Sequence, residues 1–241
     1  METNNIAIIF AGGSGRRMNV GAKPKQFLEL HGKPIIVYTL ELFQQHTQIN
    51  AIYVACIKEW MAEMQQLCQL YGLSKVRAIV EGGETGQDSI YNGLQAAVAD
   101  GCDASQTIAL IHDGVRPLIH AETITDNIQT ARERGACITC VPATETFVVK
   151  QTDGSLSIPR RENSLVARAP QTFRLDHILD AHERARRDGV HTFIDSLTMM
   201  THYGYSVDTI IGPSENIKIT TPTDYFIFKA IVEARENSQI L

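Results

Sequence analysis

The residues of this 241-residue chain best suited to chemistry come early: Phe10-Ala-Gly-Gly-Ser-Gly-Arg-Arg-Met18, then Lys23-Pro-Lys-Gln26. They follow Ile6–Phe10, a continuous apolar run of the kind shown by a strand buried on both faces. Glycine lets backbone approach a ligand closely, and successive N–H groups in such a loop can cradle phosphate oxygens. Arg17 and Lys25 add positive charge in the same stretch. The loop is not a dinucleotide fingerprint, because Met18 stands where a glycine is needed, and it lacks the Gly-Lys-Ser/Thr of a Walker loop. Strand, glycine loop and cations in sequence point to an anion site; the plain alternative is a glycine turn with surface cations.

Three further stretches carry polar groups where α/β sheets bind ligands. In Ile108-Ala-Leu-Ile-His-Asp-Gly-Val-Arg-Pro117, Asp113 and Arg116 fall at the C-terminal end of a strand-like run. Ligands of open α/β sheets sit at that end. A carboxylate there can hold a ribose hydroxyl or a divalent cation, or it can simply pair with Arg116 at a turn. His112 reads as structural, since no other histidine has metal-ligand spacing to it. Glu81-Gly-Gly-Glu-Thr-Gly-Gln-Asp-Ser-Ile90 is a glycine-rich loop that opens a helix, with Asp88 or Ser89 as its cap. Its backbone amides and Ser89 are placed to read a base edge. Asn216-Ile-Lys-Ile-Thr-Thr-Pro-Thr-Asp224 sets Lys218 in a β-branched run, as a strand residue directed to one face, before Thr-Pro-x-Asp starts a last helix. Pro159-Arg-Arg161 and Arg168 read by themselves as a solvated basic turn. The five cysteines are scattered, and the one C-x-x-C, Cys137 with Cys140, lies in an apolar β-branched run without a second pair. That context predicts buried thiols rather than a zinc or redox site.

The elements that must position these groups alternate along the chain. Strand-like runs at Ile6–Phe10, Ala51–Ile57, Val76–Val80, Thr107–His112 and Ala136–Pro142 are separated by helical patterns over Pro34–Gln45, Glu59–Tyr71, Asp88–Val98 and Ala121–Arg134. This predicts an α/β fold: a Rossmann-like, mostly parallel twisted sheet with helices on both faces and right-handed crossovers. At about 143–168 the pattern breaks into short strand-like pieces around Thr152-Asp-Gly-Ser155, which predicts an extruded β-arm. Helices over Leu175–Arg187, near Asp195–Tyr203 and over Tyr225–Glu236, with a strand at Val207–Ile211, complete one domain over 1–241. A balance of 22 Lys+Arg against 27 Asp+Glu, net −5, argues against a nucleic-acid partner but leaves room for a small phosphorylated ligand. No apolar run reaches the roughly 18 residues of a membrane span, and the first residues lack a secretory pattern, so a cytoplasmic protein is expected.

Taken in order, these stretches resemble the cytidylyltransferases of the methylerythritol-phosphate and ribitol-phosphate family, within the glycosyltransferase-A-like nucleotidyltransferases. The likeness runs from Ile6 to about Ala234. It rests on Ala11-Gly-Gly-Ser-Gly-Arg-Arg-Met18 with Pro24-Lys-Gln26, Gly82-Gly83 with Ser89, His112-Asp-Gly-Val-Arg-Pro117, Pro170-Gln171, Asp195 and Asn216-Ile-Lys218. The resemblance implies that CTP and a polyol phosphate give a CDP-polyol and pyrophosphate, the acceptor phosphate attacking the α-phosphorus in line. By position it makes Arg17 and Lys25 the catalytic, transition-state-stabilising residues. It assigns CTP to Ala11, Gly12, Gly13, Ser14, Gly15, Gly82, Gly83, Asp88, Ser89 and Asp113, with Mg²⁺ or another divalent cation also on Asp113. It assigns the acceptor phosphate to Arg116, Arg161, Asp195 and Lys218. It further implies a homodimer in which the arm swaps between subunits and Arg161 acts across the interface.

This chain departs from the family pattern at several positions. Gly86 stands where relatives usually carry Arg, Ala169 replaces the Thr before Pro-Gln, Glu145-Thr146 replaces an Asp-Thr pair, and Ser196 follows Asp195. Phe10-Ala-Gly-Gly13, Gly32-Lys-Pro-Ile-Ile-Val-Tyr-Thr39 and Lys58-Glu-Trp60 look more like the ribitol branch, although Val166-Ala-Arg-Ala169 lacks that branch's Gln-Gly-Gln. The expected acceptor is therefore D-ribitol 5-phosphate, giving CDP-ribitol for cell wall or other surface polysaccharide. The alternatives are 2-C-methyl-D-erythritol 4-phosphate of isoprenoid biosynthesis and another alditol phosphate. A non-catalytic nucleotide-binding homologue would be expected to lack Arg17, Lys25 or Asp113, and all three are present. A nicotinamide oxidoreductase would need glycine at Met18 and an acidic residue where Lys58 follows the second strand-like run.

Overall fold

The apolar run near the N-terminus becomes the middle of a seven-stranded sheet in the computed structural model, which describes residues 4–12 and 23–238. Strand β1 (Asn4–Ala11) leads, past a small ladder of β2 (Glu29–Leu30) and β3 (Lys33–Pro34), into helix α1 (Ile35–Gln45). There follow β4 (Ala51–Cys56), α2 (Met61–Leu70), β5 (Val76–Glu81), α3 (Gly86–Ala99), β6 (Thr107–Asp113), α4 (Ala121–Arg134) and β7 (Ala136–Pro142). The second half comprises a two-stranded ladder of β8 (Val149–Lys150) and β9 (Leu156–Ser157), then β10 (Leu165–Arg174), α5 (Leu175–Arg187), α6 (Ser196–His202), β11 (Asp208–Ile211) and α7 (Pro222–Ser238). The sheet order is β11-β7-β10-β6-β1-β4-β5, and only β10 runs against its neighbours.

Alternation along each buried strand builds two cores. Ala7, Ile9, Ile52, Val54 and Leu110 face α1, α2 and α4. Ile6, Ile8, Tyr53, Ala109 and Ile111 face α3, α5 and α6. Burying an Ile or Leu contributes about 1.5–3 kcal/mol, so register is strongly specified: a one-residue slip would exchange the two faces. Cys137 and Cys140 fall three apart on β7 and join opposite cores. The C-x-x-C therefore cannot converge on one ion, and burial pushes the Cys137 thiol up to about 12. Helix α4 ends where the sequence predicts because Gly135 adopts φ 90° and closes the last turn onto the Ala131 carbonyl at 2.8 Å.

Two elements differ from expectation. Strand β10 occupies residues predicted as the arm's end, and it continues through Pro170, which normally demotes a strand. Proline is tolerated because the ladder to β7 shifts register between Ala167 and Gln171, a bulge that needs no donor there. The Pro170 carbonyl accepts from the Thr139 hydroxyl at 3.0 Å. The run around Lys218 pairs with no strand; one backbone bond, from the Ile219 N–H to the Val115 carbonyl at 2.9 Å, ties it to the loop after β6, and the Arg116 side chain adds another to the Asn216 carbonyl at 3.1 Å. The hairpin of β8 and β9 exposes Phe147, Val148, Leu156 and Ile158.

Asn127 secures the bulged strand from below. Its amide donates to the Thr123 carbonyl and the Thr139 hydroxyl, both at 2.8 Å, and its oxygen accepts from the Thr172 hydroxyl at 3.0 Å. All three partners are buried. Replacing Asn127 by Ala removes these three bonds and leaves the buried Thr172 hydroxyl without its acceptor, and is expected to lower unfolding free energy by roughly 2–4 kcal/mol in urea titration. An unchanged urea midpoint would contradict that role.

Candidate active site

Strand order reverses between β1 and β6: the chain runs outward through β4 and β5, then returns to the other side of β1. A crevice opens outside the carboxyl ends of strands at such a switch point. Here Phe10 and Asp113 are register partners at its floor, and the Gly114 N–H donates to the Phe10 carbonyl at 3.1 Å. Two adjoining cavities, about 220 and 290 Å³, share Phe10, Gly86, Asp113 and Lys218. The first takes in Ala11, Gly12, Lys25, Gly83 and Ser89; the second takes in Arg116, Arg168, Gln171 and Asp195.

Ser89 organises the first cavity. Its hydroxyl accepts from the Gly83 N–H and donates to the Thr85 carbonyl, both at 3.0 Å. A Cβ on Gly12 would lie 2.7 Å from this oxygen, and one on Gly82 3.1 Å. The two glycine loops can therefore close on each other only without side chains. Thr85, rather than Asp88 or Ser89, is the N-cap of α3: its hydroxyl accepts from the Asp88 N–H at 3.0 Å while the Asp88 carboxylate reaches back to the Thr85 N–H at 3.3 Å. The other Asp88 oxygen pairs with Arg186 at 3.0 Å. Asp88, expected on CTP, is thus turned to the helix cap and α5, because the carboxylate is the natural partner of the first-turn amides. Gln26 donates to the Ala11 carbonyl at 2.6 Å, which carries the short turn bearing Lys25 to the end of β1. Gly13, Ser14, Gly15 and Arg17 lie outside the described residues.

Asp113 stands where the two cavities meet. Its carboxylate is almost wholly buried and pairs with Arg116 Nε at 2.6 Å on one oxygen and with Lys218 Nζ at 2.6 Å on the other. Burial alone would raise its pKa, but Arg116 and Lys218 hold it well below the usual carboxylate range. Lys218 also sits 5.8 Å from the centre of the Phe10 ring. Asn216 makes this possible. Fully buried, it donates from its amide to the Ala169 carbonyl at 2.7 Å, and its backbone carbonyl accepts from Arg116 at 3.1 Å and Arg168 at 3.3 Å. In the sequence Asn216 stands out only as a neighbour of Lys218, at the start of the β-branched run Ile217–Thr221. His112 is structural as expected: its Nε2 is 3.0 Å from the Arg116 carbonyl, and burial pushes its pKa down to about 4.

In the second cavity, Gln171 bridges β10 to α6, donating to Asp195 at 3.2 Å and accepting from the Leu197 N–H at 3.0 Å. Asp195 caps α6 through the Thr198 N–H at 2.8 Å and also accepts from the Thr198 hydroxyl. Arg161, on an exposed turn (Arg161–Asn163), lines neither cavity. Among the described residues no three His, Cys, Asp or Glu side chains converge on a metal position. Asp113 retains acceptor capacity beyond its two ion pairs, so the donor set suits a hard cation shared with ligand phosphates and not one caged by protein.

A glycine-lined crevice at the switch point of a mostly parallel sheet, floored by a carboxylate between two cations, defines a nucleotide-binding α/β protein built for anionic ligands. A family model described as 2-C-methyl-D-erythritol 4-phosphate cytidylyltransferase matches residues 5–234, and the chain belongs to that family. Ribitol-5-phosphate cytidylyltransferase of Streptococcus agalactiae serotype V is 49% identical over 98% of both chains. The 2-C-methyl-D-erythritol 4-phosphate cytidylyltransferase of Clostridium botulinum is 35% identical over 96% of this chain and 98% of its own. In fold, 4-diphosphocytidyl-2C-methyl-D-erythritol synthase from Anaerococcus prevotii superposes with a TM-score of 0.81, 24% identical over 96% of each chain.

Two buried histidines tie stability to pH. Burial, then the Arg186 charge, pushes His182 down to about 3, as burial does for His112 to about 4. Both are neutral when folded, so only the unfolded chain takes up protons as pH falls below about 6.5. Stability is therefore full above that pH and declines beneath it, by about 2 kcal/mol per histidine between pH 6.5 and 5. His182→Gln is expected to remove about half of this slope in urea unfolding; an unchanged slope would count against it.

Proposed function

We propose that the protein is a CTP-dependent cytidylyltransferase that converts D-ribitol 5-phosphate to CDP-ribitol and pyrophosphate. The observation that carries the acceptor assignment is the 49% identity to the ribitol-5-phosphate enzyme against 35% to the methylerythritol one, each over nearly the whole chain. In this reading the 220 Å³ cavity takes CTP: backbone amides around Gly12 meet the triphosphate and Ser89 with Gly82 and Gly83 reads the base. The 290 Å³ cavity takes the polyol phosphate, with Arg116, Asp195 and Lys218 on its wall. The transfer is then mainly positioning and stabilisation of charge that builds on the phosphate oxygens. Lys25, on the wall of the nucleotide cavity, serves that charge together with Arg17. Asp113 orients the ribose and would share Mg²⁺ with the triphosphate; when bound, the ion neutralises phosphate charge.

Arg161 completes the acceptor site of a second copy of the chain in this reading. Two features support a homodimer through the arm: Arg161 lines neither cavity of its own protomer, and the arm exposes Phe147, Val148, Val149, Leu156 and Ile158. The chain would act as one nucleotidyltransferase domain plus that arm. No helix among the described residues is long and apolar enough to cross a membrane, in keeping with a cytoplasmic enzyme.

Pyrophosphate release from CTP and Mg²⁺ is expected with D-ribitol 5-phosphate and at least tenfold weaker with 2-C-methyl-D-erythritol 4-phosphate; the reverse preference would overturn the acceptor, and release with neither the enzyme class. Lys25→Ala is expected to lower turnover roughly 100-fold or more, and a near-normal rate would remove it from the chemistry. Arg161→Ala should raise the acceptor KM and leave that of CTP alone. Mixed dimers of Arg161→Ala and Lys25→Ala chains should regain activity, and verified heterodimers without recovery would argue for sites complete within one chain.

A further inference from the structure

Arg168 is the cation of the second cavity that no carboxylate compensates among the described residues. It lies in the stretch where β10 loses register with β7, between Ala167 and Gln171. A bulge re-aims side chains, and here Ala167 and Arg168, consecutive in sequence, both line the cavity. Arg116 is paired through Nε with Asp113 at 2.6 Å. Arg168 pairs with no carboxylate among the described residues: it shares the Asn216 carbonyl at 3.3 Å, and its Nε is hidden from solvent with no hydrogen-bond partner. Burial, then the nearby Arg116 charge, works against its protonated form. A guanidinium so placed is poorly solvated and under-bonded until an anion arrives, and its fork matches a phosphate bidentately. The cavity lining leaves room: a Cβ on Gly86 would meet nothing within 4 Å, and Ala169 beside Arg168 is small.

We infer that Arg168 binds the phosphate of the acceptor directly, within its own protomer, beside Arg116 and Lys218. The inference rests on the polyol-phosphate reading of this cavity. Among the described residues its one side-chain bond is to the Asn216 carbonyl, and Arg168→Gln removes the charge while leaving a neutral amide donor on the side chain. Arg168→Gln is expected to raise the acceptor KM about 10- to 100-fold, the worth of a charge-assisted hydrogen bond. The KM of CTP should stay within about twofold. Arg168→Lys, which keeps the charge and loses the fork, should fall between. Calorimetric titration with inorganic phosphate should weaken in the same order without requiring turnover. An acceptor KM or phosphate affinity equal to wild type, or a loss confined to kcat, would overturn the inference. If Arg168→Gln fails the thermal-melt check for folding, Arg168→Lys decides it by the phosphate titration. Should wild-type protein release no pyrophosphate with any polyol phosphate, the transferase reading falls, while equal phosphate affinity in wild type and variants separately refutes the role of Arg168.

Discussion

A carboxylate taken out of water must be compensated, and at Asp113 the compensation comes from two cations of different origin. Arg116 lies three residues on, in the loop after β6, whereas Lys218 comes from an extended segment near the C-terminal helix. Burying the Asp113 carboxylate alone would cost several kcal/mol. Together the three groups lock the end of β6, its loop and the 216–219 segment into one arrangement, with Asn216 anchoring the last of these. Both cavities open on this cluster. With two cations to one carboxylate it keeps a net positive charge, so an anionic ligand would meet cations already held in place, and little reorganisation would remain on binding.

The surroundings divide into rigid and adaptable parts. The strand ends are fixed by two hydrophobic cores whose faces alternate residue by residue. The cavity beside Ser89 is shaped by contacts that tolerate no extra atom: Ser89 between Gly12 and Gly82, and Thr85 with Asp88 closing the start of α3. The cavity beside Arg168 is looser in construction. A register shift in β10, small residues at Gly86 and Ala169, and the exposed Ile194 on its rim make its wall, and it is there that the chain departs from its family's pattern. Loop-borne walls over a fixed sheet are how one fold serves several substrates.

Much of this was readable from residues in order. The helix Ala121–Arg134 and the strand Ala136–Pro142 match their expected bounds, because Gly135 can only be a left-handed stop between an amphipathic and an apolar run. Ser89, Gly12, Gly83, Asp113, Arg116 and Lys218 were all marked by motif, and all reach the crevice. Residues whose contacts lie across the fold were less legible. Asp88 has the same chemistry as a ligand carboxylate, yet Thr85 and Arg186 capture it. Strand β10 was hidden by Pro170, since single-sequence signals cannot show that a bulge excuses the missing donor.

The sequence by itself determined the α/β class, the strand-loop-helix motifs that gather at the crevice and the family, because apolar periodicity, glycine punctuation and local motifs are properties of neighbouring residues. Only the tertiary structure decided which charges meet. The Asp113–Lys218 pair spans 105 positions, and Arg168 and Arg116 converge on one carbonyl of Asn216. Sheet order, strand direction and a single bulge set those distances, and none of the three is encoded in any short stretch of chain.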